Sequence, residues 1–441
     1  TKNYFIIYLI KKAYGDLMKC KNCKEGLHKV FNLGNQPISS VFYKEKKYRL
    51  PSYSLDLYKC KSCHLVQFKS LAPLKDMYGL TYGYNTSLSP LMVNHMKKKF
   101  NFIKLNYKKL LKGQILDIGS NDGTFLNLLH SIKGTKLYGM DPSSEKFLSN
   151  YKKNITVIKN FFSKKKLSKN ILPDQLKTKF NIITSFAMFY DIEDPNSFCR
   201  DIFELLNDNG IWVVEFSYLP LLFKNLTYDQ ICHEHVTYYS LTTFNKILKN
   251  NNMRVIDLSF NEINGGSIEV ICVKKQSKLK SKSIVAKIFK EESSISNNIF
   301  KLFQDRVDNV KKTLSEFLIN IPAKDIIGYG ASTKGNIVLN HLKLSSKNLS
   351  FICDANPFKF NRYTPGSNIK IISKKEMRKR NPKYLLVLIW SFRSEVIKQE
   401  LNYIKNGGKL IFHLPILHII DKYNYKKYLK SDFNSMSYSI N

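Results

Sequence analysis

Two sets of residues in this chain stand at spacings that chemistry uses. Cys20 and Cys23 form one C-x-x-C pair and Cys60 and Cys63 another, while the segment 228–240, YDQICHEHVTYYS, sets His233 and His235 on either side of Glu234. Each C-x-x-C turn aims two sulfurs at one point, so two such pairs supply the four thiolates of a tetrahedral zinc site. Four cysteine ligands leave no open position, so such a site holds a module together and does no chemistry itself. The 36 residues between the pairs, 24 to 59, exceed a finger spacing and call for a small β-rich insert. The histidine segment admits three readings. Two imidazoles at i and i+2 share a face of an extended chain and could bind a metal, although beyond Cys232 no further Cys or His stands beside them. They could be satisfied side chains of a polar loop. Or an imidazole with a neighbouring carboxylate could serve as a general base. The segment shortly follows an apolar strand, GIWVVEFSY, on the side of a parallel sheet where ligands gather, which favours the base.

A third pattern lies in ILDIGSNDGTFLNLL. A strand ends at Asp117-Ile118-Gly119, a loop follows with a second glycine at Gly123, and an amphipathic helix opens at Thr124. Glycines let the backbone turn sharply and approach a ligand. The spacing is G-x-x-x-G rather than the G-x-G-x-x-G that cradles a pyrophosphate. With Asp141 at the end of the next strand, placed to accept from ribose hydroxyls, and Asp117 at the loop base, the pattern suits S-adenosylmethionine; a nicotinamide dinucleotide fold is the rival.

Positioning these residues takes several elements. At 441 residues and 43% hydrophobic, the chain is too long for one core. Short apolar pieces and turns over 20–70 read as a β module. A helix is expected from Pro90 to about Leu111. From Gln114, strands such as QILDIG, KLYGMD, FNIITSFAMF and GIWVVEFSY alternate with helices, the pattern of a parallel sheet. A Lys/Ser-rich stretch leads into a helical connector, and a second α/β pattern begins at DIIGYGASTKGN. The expected domains are 18–80, 81–275, 276–320 and 321–420, and the tail after Leu417 reads as polar and uninformative. The formal charge of +37 suggests a nucleic-acid binder, but only eight of the 71 basic residues are arginine and no recognition motif is present. A lysine-coated surface, attractive to anionic substrates, fits better. No run approaches the ~20 apolar residues of a membrane span, so a cytoplasmic protein is expected. Residues 1–17 read as an upstream extension, with translation starting at Met18.

Together the motifs resemble the sugar C-methyltransferase family, S-adenosylmethionine enzymes that methylate a carbon of nucleotide-linked keto-deoxysugars. The resemblance runs from Cys20 to about Pro415 through the C-x-x-C pairs, LDIGSNDGTFL, GMDPS, CHEHVTYYS, NGGS and GYGASTKGN. It implies an α/β multidomain fold: an N-terminal zinc-binding β module, a central class I methyltransferase domain of Rossmann-like form, and a C-terminal second Rossmann-like domain. It implies structural Zn2+, and cofactor contacts from Asp117, Gly119, Ser120, Asn121, Asp122, Gly123, Asp141 and Pro142. His235 would be the base, supported by Glu234 with His233 beside it, and Tyr82 or Tyr84 would reach the site. Asn264, Gly265, Gly266, Ser267, Gly330 and Lys334 would hold the nucleotide-linked keto-sugar, with Lys334 facing a diphosphate. Members with YHEH and GGSLR differ here by Cys232 and Glu269. An O-methyltransferase of sugars and a zinc-bearing nucleic-acid binder are the alternatives; a monomer or dimer is expected.

Overall fold

The computed structural model describes residues 19–73, 77, 85–171, 179–431 and 436–440. The expected extension 1–17, Tyr82 and Tyr84 lie outside these residues.

The cysteine module is built from five short strands, β1 (Leu27–Phe31), β2 (Asn35–Pro37), β3 (Ser52–Ser54), β4 (Leu57–Cys60) and β5 (Val66–Phe68). Both C-x-x-C turns reverse through a left-handed residue just past the second cysteine, Lys24 (φ 64°) and His64 (φ 67°). The strands β1, β4 and β5 form an antiparallel sheet.

The middle sheet has the order β12-β13-β10-β9-β6-β7-β8. Its strands are β6 (Gly113–Ile118), β7 (Thr135–Met140), β8 (Ile155–Ile158), β9 (Phe180–Phe186), β10 (Leu206–Ser217), β12 (Met253–Asn261) and β13 (Ser267–Lys274). The five from β6 to β10 run parallel, and β13 runs antiparallel to both β10 and β12. Apolar runs such as ILDI in β6 are buried because both faces are covered. Helix α1 (Pro90–Asn106) starts where Ser89 accepts from the Met92 N–H with Pro90 at the first turn. It ends five residues before the expected Leu111, which falls in a separate 3-10 turn.

Between β10 and β12 the chain forms α2 (Leu219–Lys224), a turn at 228–230, the strand β11 (Thr237–Tyr238) and α3 (Leu241–Asn250). Strand β11 does not join the middle sheet. It pairs with β5, Thr237 opposite Gln67 and Tyr238 opposite Val66, so the cysteine module takes its fourth strand from the segment just past His235. After β13 come a helix at Ser283–Ser293 and the long α4 (Ile299–Ile319). The last sheet, β16-β15-β14-β17-β18-β19, comprises β14 (Ile326–Tyr329), β15 (Ile352–Asp354), β16 (Ile371–Ser373), β17 (Tyr384–Val387), β18 (Lys409–Phe412) and β19 (His418–Ile420), with α5 (Thr333–His341) after β14. Its order reverses between β14 and β17, as in doubly wound folds.

One apolar cluster joins the parts: Phe31, Leu57 and Phe68 of the cysteine module pack with Phe303 and Val307 of α4 and with Ile326 and Val338 of the last domain. The Phe31 and Phe303 rings lie 4.9 Å apart. The tail is not the uninformative stretch its composition suggests. Tyr438 N–H donates to the Lys224 carbonyl at 2.8 Å, and the Arg306 guanidinium sits 4.5 Å from the Tyr438 ring. A single aromatic in a polar run is enough to anchor it. Among the described residues no helix is long and apolar enough to cross a membrane.

Buried charge ties α1 to the middle sheet. Glu215 on β10 and Glu269 on β13 stand directly opposite each other, an arrangement that repels. Lys99 of α1 resolves it, pairing with Glu215 and lying 2.6 Å from Glu269. His95 adds a contact at 3.0 Å, and Asn261 Nδ2 donates to Glu215 at 2.7 Å. Burial alone would raise the Glu215 pKa, but Lys99 and His95 outweigh it and hold the carboxyl at about 2. Glu269 is therefore committed to an ion pair inside the fold. Lys99→Met leaves two buried carboxylates without their cation, and a loss of about 3–5 kcal/mol is expected, read by denaturant titration; a loss below ~1 kcal/mol would show the cluster to be dispensable.

Candidate active site

The cofactor loop leaves β6 at Gly119. Gly119 and Gly123 both have φ near +76°, and a Cβ would lie 3.0 Å from Met188 Cγ at the first and 2.7 Å from the Tyr151 ring at the second, so neither position accepts a side chain. Asp117 is buried beneath the loop and accepts from Thr184 Oγ1 at 2.6 Å. Burial pushes its pKa up to about 7; the Thr184 bond opposes this and the charge of Asp141 adds to it. Asp141, at the tip of β7, accepts from the Asn121 N–H at 3.0 Å and from the Ser143 N–H and hydroxyl at 2.6 Å. It thus fastens the loop to the next strand.

The polar side chains of the loop also bind protein. Asn121 Oδ1 accepts from Thr86 N–H at 3.1 Å, and Asp122 Oδ2 accepts from Ser87 N–H at 2.8 Å. Asp122 Oδ1 accepts from the Thr124 N–H at 3.1 Å, where the following helix begins. Ser120 Oγ is 2.9 Å from Tyr151 Oη, which donates to the Asn121 carbonyl at 2.8 Å. Pro142 is half-buried beside Asp141. Asn121 and Asp122 therefore draw the chain just after the TYGY segment onto the loop. Tyr151 was not found from sequence, since a lone tyrosine in a polar stretch carries no signal.

The two histidines face different surroundings. His233 lies edge-on to Tyr53 of the cysteine module, with ring centroids 6.2 Å apart, and the Glu234 charge acts on it. His235 packs against Tyr190, centroids 4.2 Å apart, with the Gln230 carbonyl facing its ring. The loop is pinned by Val236 N–H and Thr237 Oγ1, which donate to the Tyr190 carbonyl at 2.8 and 3.2 Å. His235 Nδ1 and both Glu234 carboxylate oxygens are buried without a hydrogen bond inside the protein. Burial, and next the charge of Lys334, lower the His235 pKa to about 3, against the Gln230 carbonyl. The ring is a neutral imidazole at any physiological pH.

The seam with the last domain closes over this loop. Asn264 (φ 59°), Gly265 and Gly266 turn between β12 and β13, and Ser267 Oγ donates back to the Ile263 carbonyl at 2.9 Å. A Cβ on Gly265 would strike the Trp390 ring at 2.7 Å, so the two domains meet at van der Waals distance. Lys334 Nζ donates to Asn264 Oδ1 at 2.7 Å, with Gly330 in the loop before it.

Burial of histidines has a thermodynamic consequence. His235 and His413 are held at about 3, His341 and His418 at about 4, all chiefly by burial. Unfolded histidine titrates near 6.5, so as pH falls from there toward 4 the unfolded chain takes up protons that the folded chain refuses. Stability therefore falls with acid over that window. Asp117 at about 7 and Asp229 at about 6 work the other way but are fewer. The expected result is a lower urea midpoint at pH 5 than at pH 7; an unchanged or higher midpoint would contradict it.

The four cysteine sulfurs lie within 4.8 Å of one another, with Cys20 to Cys63 and Cys23 to Cys60 both at 3.4 Å. Tetrahedral Zn2+ with bonds of ~2.3 Å separates its sulfurs by roughly 3.8 Å, so the cluster fits the ion. The Asn22 and Cys63 N–H groups each donate to a cysteine sulfur at 3.4 Å, an arrangement that favours thiolate.

Three family matches follow one another along the chain: a zinc binding domain over 20–78, a methyltransferase domain over 95–258, and the C-methyltransferase C-terminal domain over 262–415. The C-methyltransferase NovU of Streptomyces niveus is 26% identical over 376 residues, spanning 83% of this chain and 88% of that protein. The chain is similar to C-methyltransferases over most of its length. It is an S-adenosylmethionine-dependent methyltransferase, with a zinc-binding module at its N-terminal side. Two further similarities are partial. The tRNA U34 carboxymethyltransferase of Campylobacter lari is 28% identical over 139 residues, which make up 30% of this chain and 47% of that protein. The plantazolicin methyltransferase BpumL, solved with SAH, matches 43% of this chain and 86% of its own at 13% identity, with a TM-score of 0.33.

Proposed function

We propose that this C-methyltransferase methylates the carbon next to a ketone in a nucleotide-linked keto-deoxysugar, with His235 as the base that forms the enolate. The observation that carries the reading is His235 itself: a buried imidazole with Nδ1 unpartnered, on a loop that follows β10 and is roofed by the seam between two domains. The relationship to NovU, named as a C-methyltransferase, supports the choice of carbon as acceptor. The cradle at Gly119 and Gly123, with Asp117 beneath and Asp141 beside it, suits S-adenosylmethionine, which supplies an electrophilic methyl group. Asp117, raised by burial to about 7, would ionise fully beside an ammonium and hold it.

A C–H next to a ketone is acidic because the negative charge left behind spreads onto oxygen. His235 takes that proton, and Glu234 on the same loop stands ready to offset the imidazolium. Tyr82 or Tyr84 is the proposed donor to the developing oxyanion. The turn Asn264–Ser267, with Gly330 across the seam, would hold the sugar nucleotide in alignment with the methyl donor. The substrate is then a small cytoplasmic metabolite rather than nucleic acid, and a monomer or dimer suffices. Incubation with methyl-labelled S-adenosylmethionine and a panel of keto-sugar nucleotides tests this: a new methyl bonded to carbon by NMR is expected, and a methyl on oxygen, or transfer to sugars lacking a ketone, would overturn it.

A further inference from the structure

Buried side-chain nitrogens and oxygens normally find a hydrogen-bond partner, and each exception calls for a reason. Among the described residues, many of the exceptions gather in one place. Gln36, at 3% exposure, has neither its Nε2 nor its Oε1 bonded within the protein. The hydroxyls of Ser39 and Ser40, both ring nitrogens of His233 and Asn336 Oδ1 are likewise buried and unpartnered.

Three parts of the chain bring these groups together. In the hairpin of β2 and β3, Gln36 stands opposite Tyr53, so the two side chains leave the same face of the ribbon. The Tyr53 ring in turn lies edge-on to His233, with 6.2 Å between centroids. Just beyond β2 the Ser39 carbonyl accepts from Asn336 Nδ2 at 2.6 Å, which draws residues 38–40 onto the first turns of α5. The far end of α5 meets the turn that precedes the histidines, where the His341 and Tyr228 rings are 5.4 Å apart. Further along the same arm, the Tyr43 and Tyr363 backbones exchange hydrogen bonds at 3.1 and 2.7 Å. The cysteine module, the histidine loop and the C-terminal domain thus share one buried polar wall, on the His233 side of the loop that carries His235.

The chemistry of the wall selects its ligand. Gln36 Oε1 and Asn336 Oδ1 only accept, Gln36 Nε2 only donates, and the serine hydroxyls do both. A phosphate, which brings acceptors alone, would leave the amide oxygens unanswered. Lys334, two residues before Asn336, is already engaged by Asn264 at 2.7 Å. A uracil or thymine ring has a single N–H to give. A sugar ring carries several hydroxyls, each donor and acceptor at once, and matches the set. We propose that Gln36, Ser39, Ser40 and Asn336, with His233 beside them, hydrogen-bond the ring hydroxyls of the sugar and determine which sugar is accepted. The inference rests on the proposed keto-sugar substrate and gives the N-terminal module a share in choosing it. The turn Asn264–Ser267 and Gly330 are left to hold the rest of the sugar nucleotide.

The test compares the native chain with Gln36→Leu. Values of kcat/KM are measured for a thymidine diphosphate-linked 4-keto-6-deoxyhexose, for analogues lacking each remaining ring hydroxyl in turn, and for the same sugar on uridine diphosphate. The native chain should discriminate against at least one deoxy analogue. Gln36→Leu should cut that discrimination about tenfold and leave the ratio between the two bases unchanged. A native chain indifferent to every hydroxyl, an equal loss on all substrates, or a change in the base ratio would overturn the inference. Stability gives a second readout: an amide with no partner inside the protein can be replaced by leucine with an unchanged or higher urea midpoint, whereas a marked fall would make Gln36 a structural group and count against the wall. Ser39→Ala, a smaller change, should shift the same discrimination in the same direction, and decides the matter if the leucine variant does not fold. Failure of the underlying reading looks different, since no keto-sugar nucleotide is then methylated by the native chain and this inference falls with it. Failure of the wall alone leaves methylation intact and the sugar preference untouched by either variant.

Discussion

His235→Ala lowers turnover by about 10²–10⁴-fold and leaves S-adenosylmethionine affinity unchanged, as measured by steady-state rates and by calorimetric titration of the cofactor. The two effects separate because the groups are held by different parts of the fold. The cofactor loop is fastened by Asp141, Asp122 and Tyr151 on the β6–β8 side of the sheet. His235 sits on a loop pinned to Tyr190 and roofed by the C-terminal domain. Removing the ring takes away the proton acceptor without touching the cradle. It also opens space beside Tyr190, so thermal denaturation of the variant must accompany the kinetics, and His235→Gln, which restores most of the volume but no basicity, should be as slow as the alanine variant. Exchange of the substrate α-hydrogen with deuterated solvent should vanish in both. Retention of full turnover, or of exchange, would remove His235 from the mechanism.

What the sequence reveals and what it hides follow from the range of the interactions. The cysteine pairs, the glycine loop and the strand ILDI are legible because each is a local pattern whose chemistry lies within a few residues. That two of the loop's polar residues, Asn121 and Asp122, hold Thr86 and Ser87 is not legible, for a hydrogen-bonding side chain reads the same whether its partner is ligand or protein. The same ambiguity affects Lys334: a lysine at a helix start after glycines invites an anion, yet its partner is an asparagine 70 residues earlier. Glu269 stands out in sequence only as a departure from members with GGSLR, and it is the pairing of β10 with β13 that shows it facing Glu215 and needing Lys99. The contact of Trp390 with Asp229 spans 161 residues, and no periodicity carries information over that distance.

Loss of the metal should be as damaging to methyl transfer as loss of the base, although the cysteines do no chemistry. Cys60 ends β4, and the turn through Cys63 leads into β5, so the ion fixes the angle between these two strands. Strand β5 in turn pairs with β11, which begins two residues after His235. The metal is thus linked through one strand to the base. A module of five strands no longer than five residues has little core of its own, and structural Zn2+ contributes about 10–16 kcal/mol of apparent binding energy at neutral pH, enough to decide whether it folds. Dialysis against a strong chelator under reducing conditions, or Cys60→Ser, should therefore reduce methyl transfer to background while the cofactor loop still binds S-adenosylmethionine, and Zn2+ added back to the dialysed protein should restore activity. If the zinc-free protein, shown by metal analysis to contain no ion, turned over at the full rate, β11 could not be the element through which the module holds His235 in place.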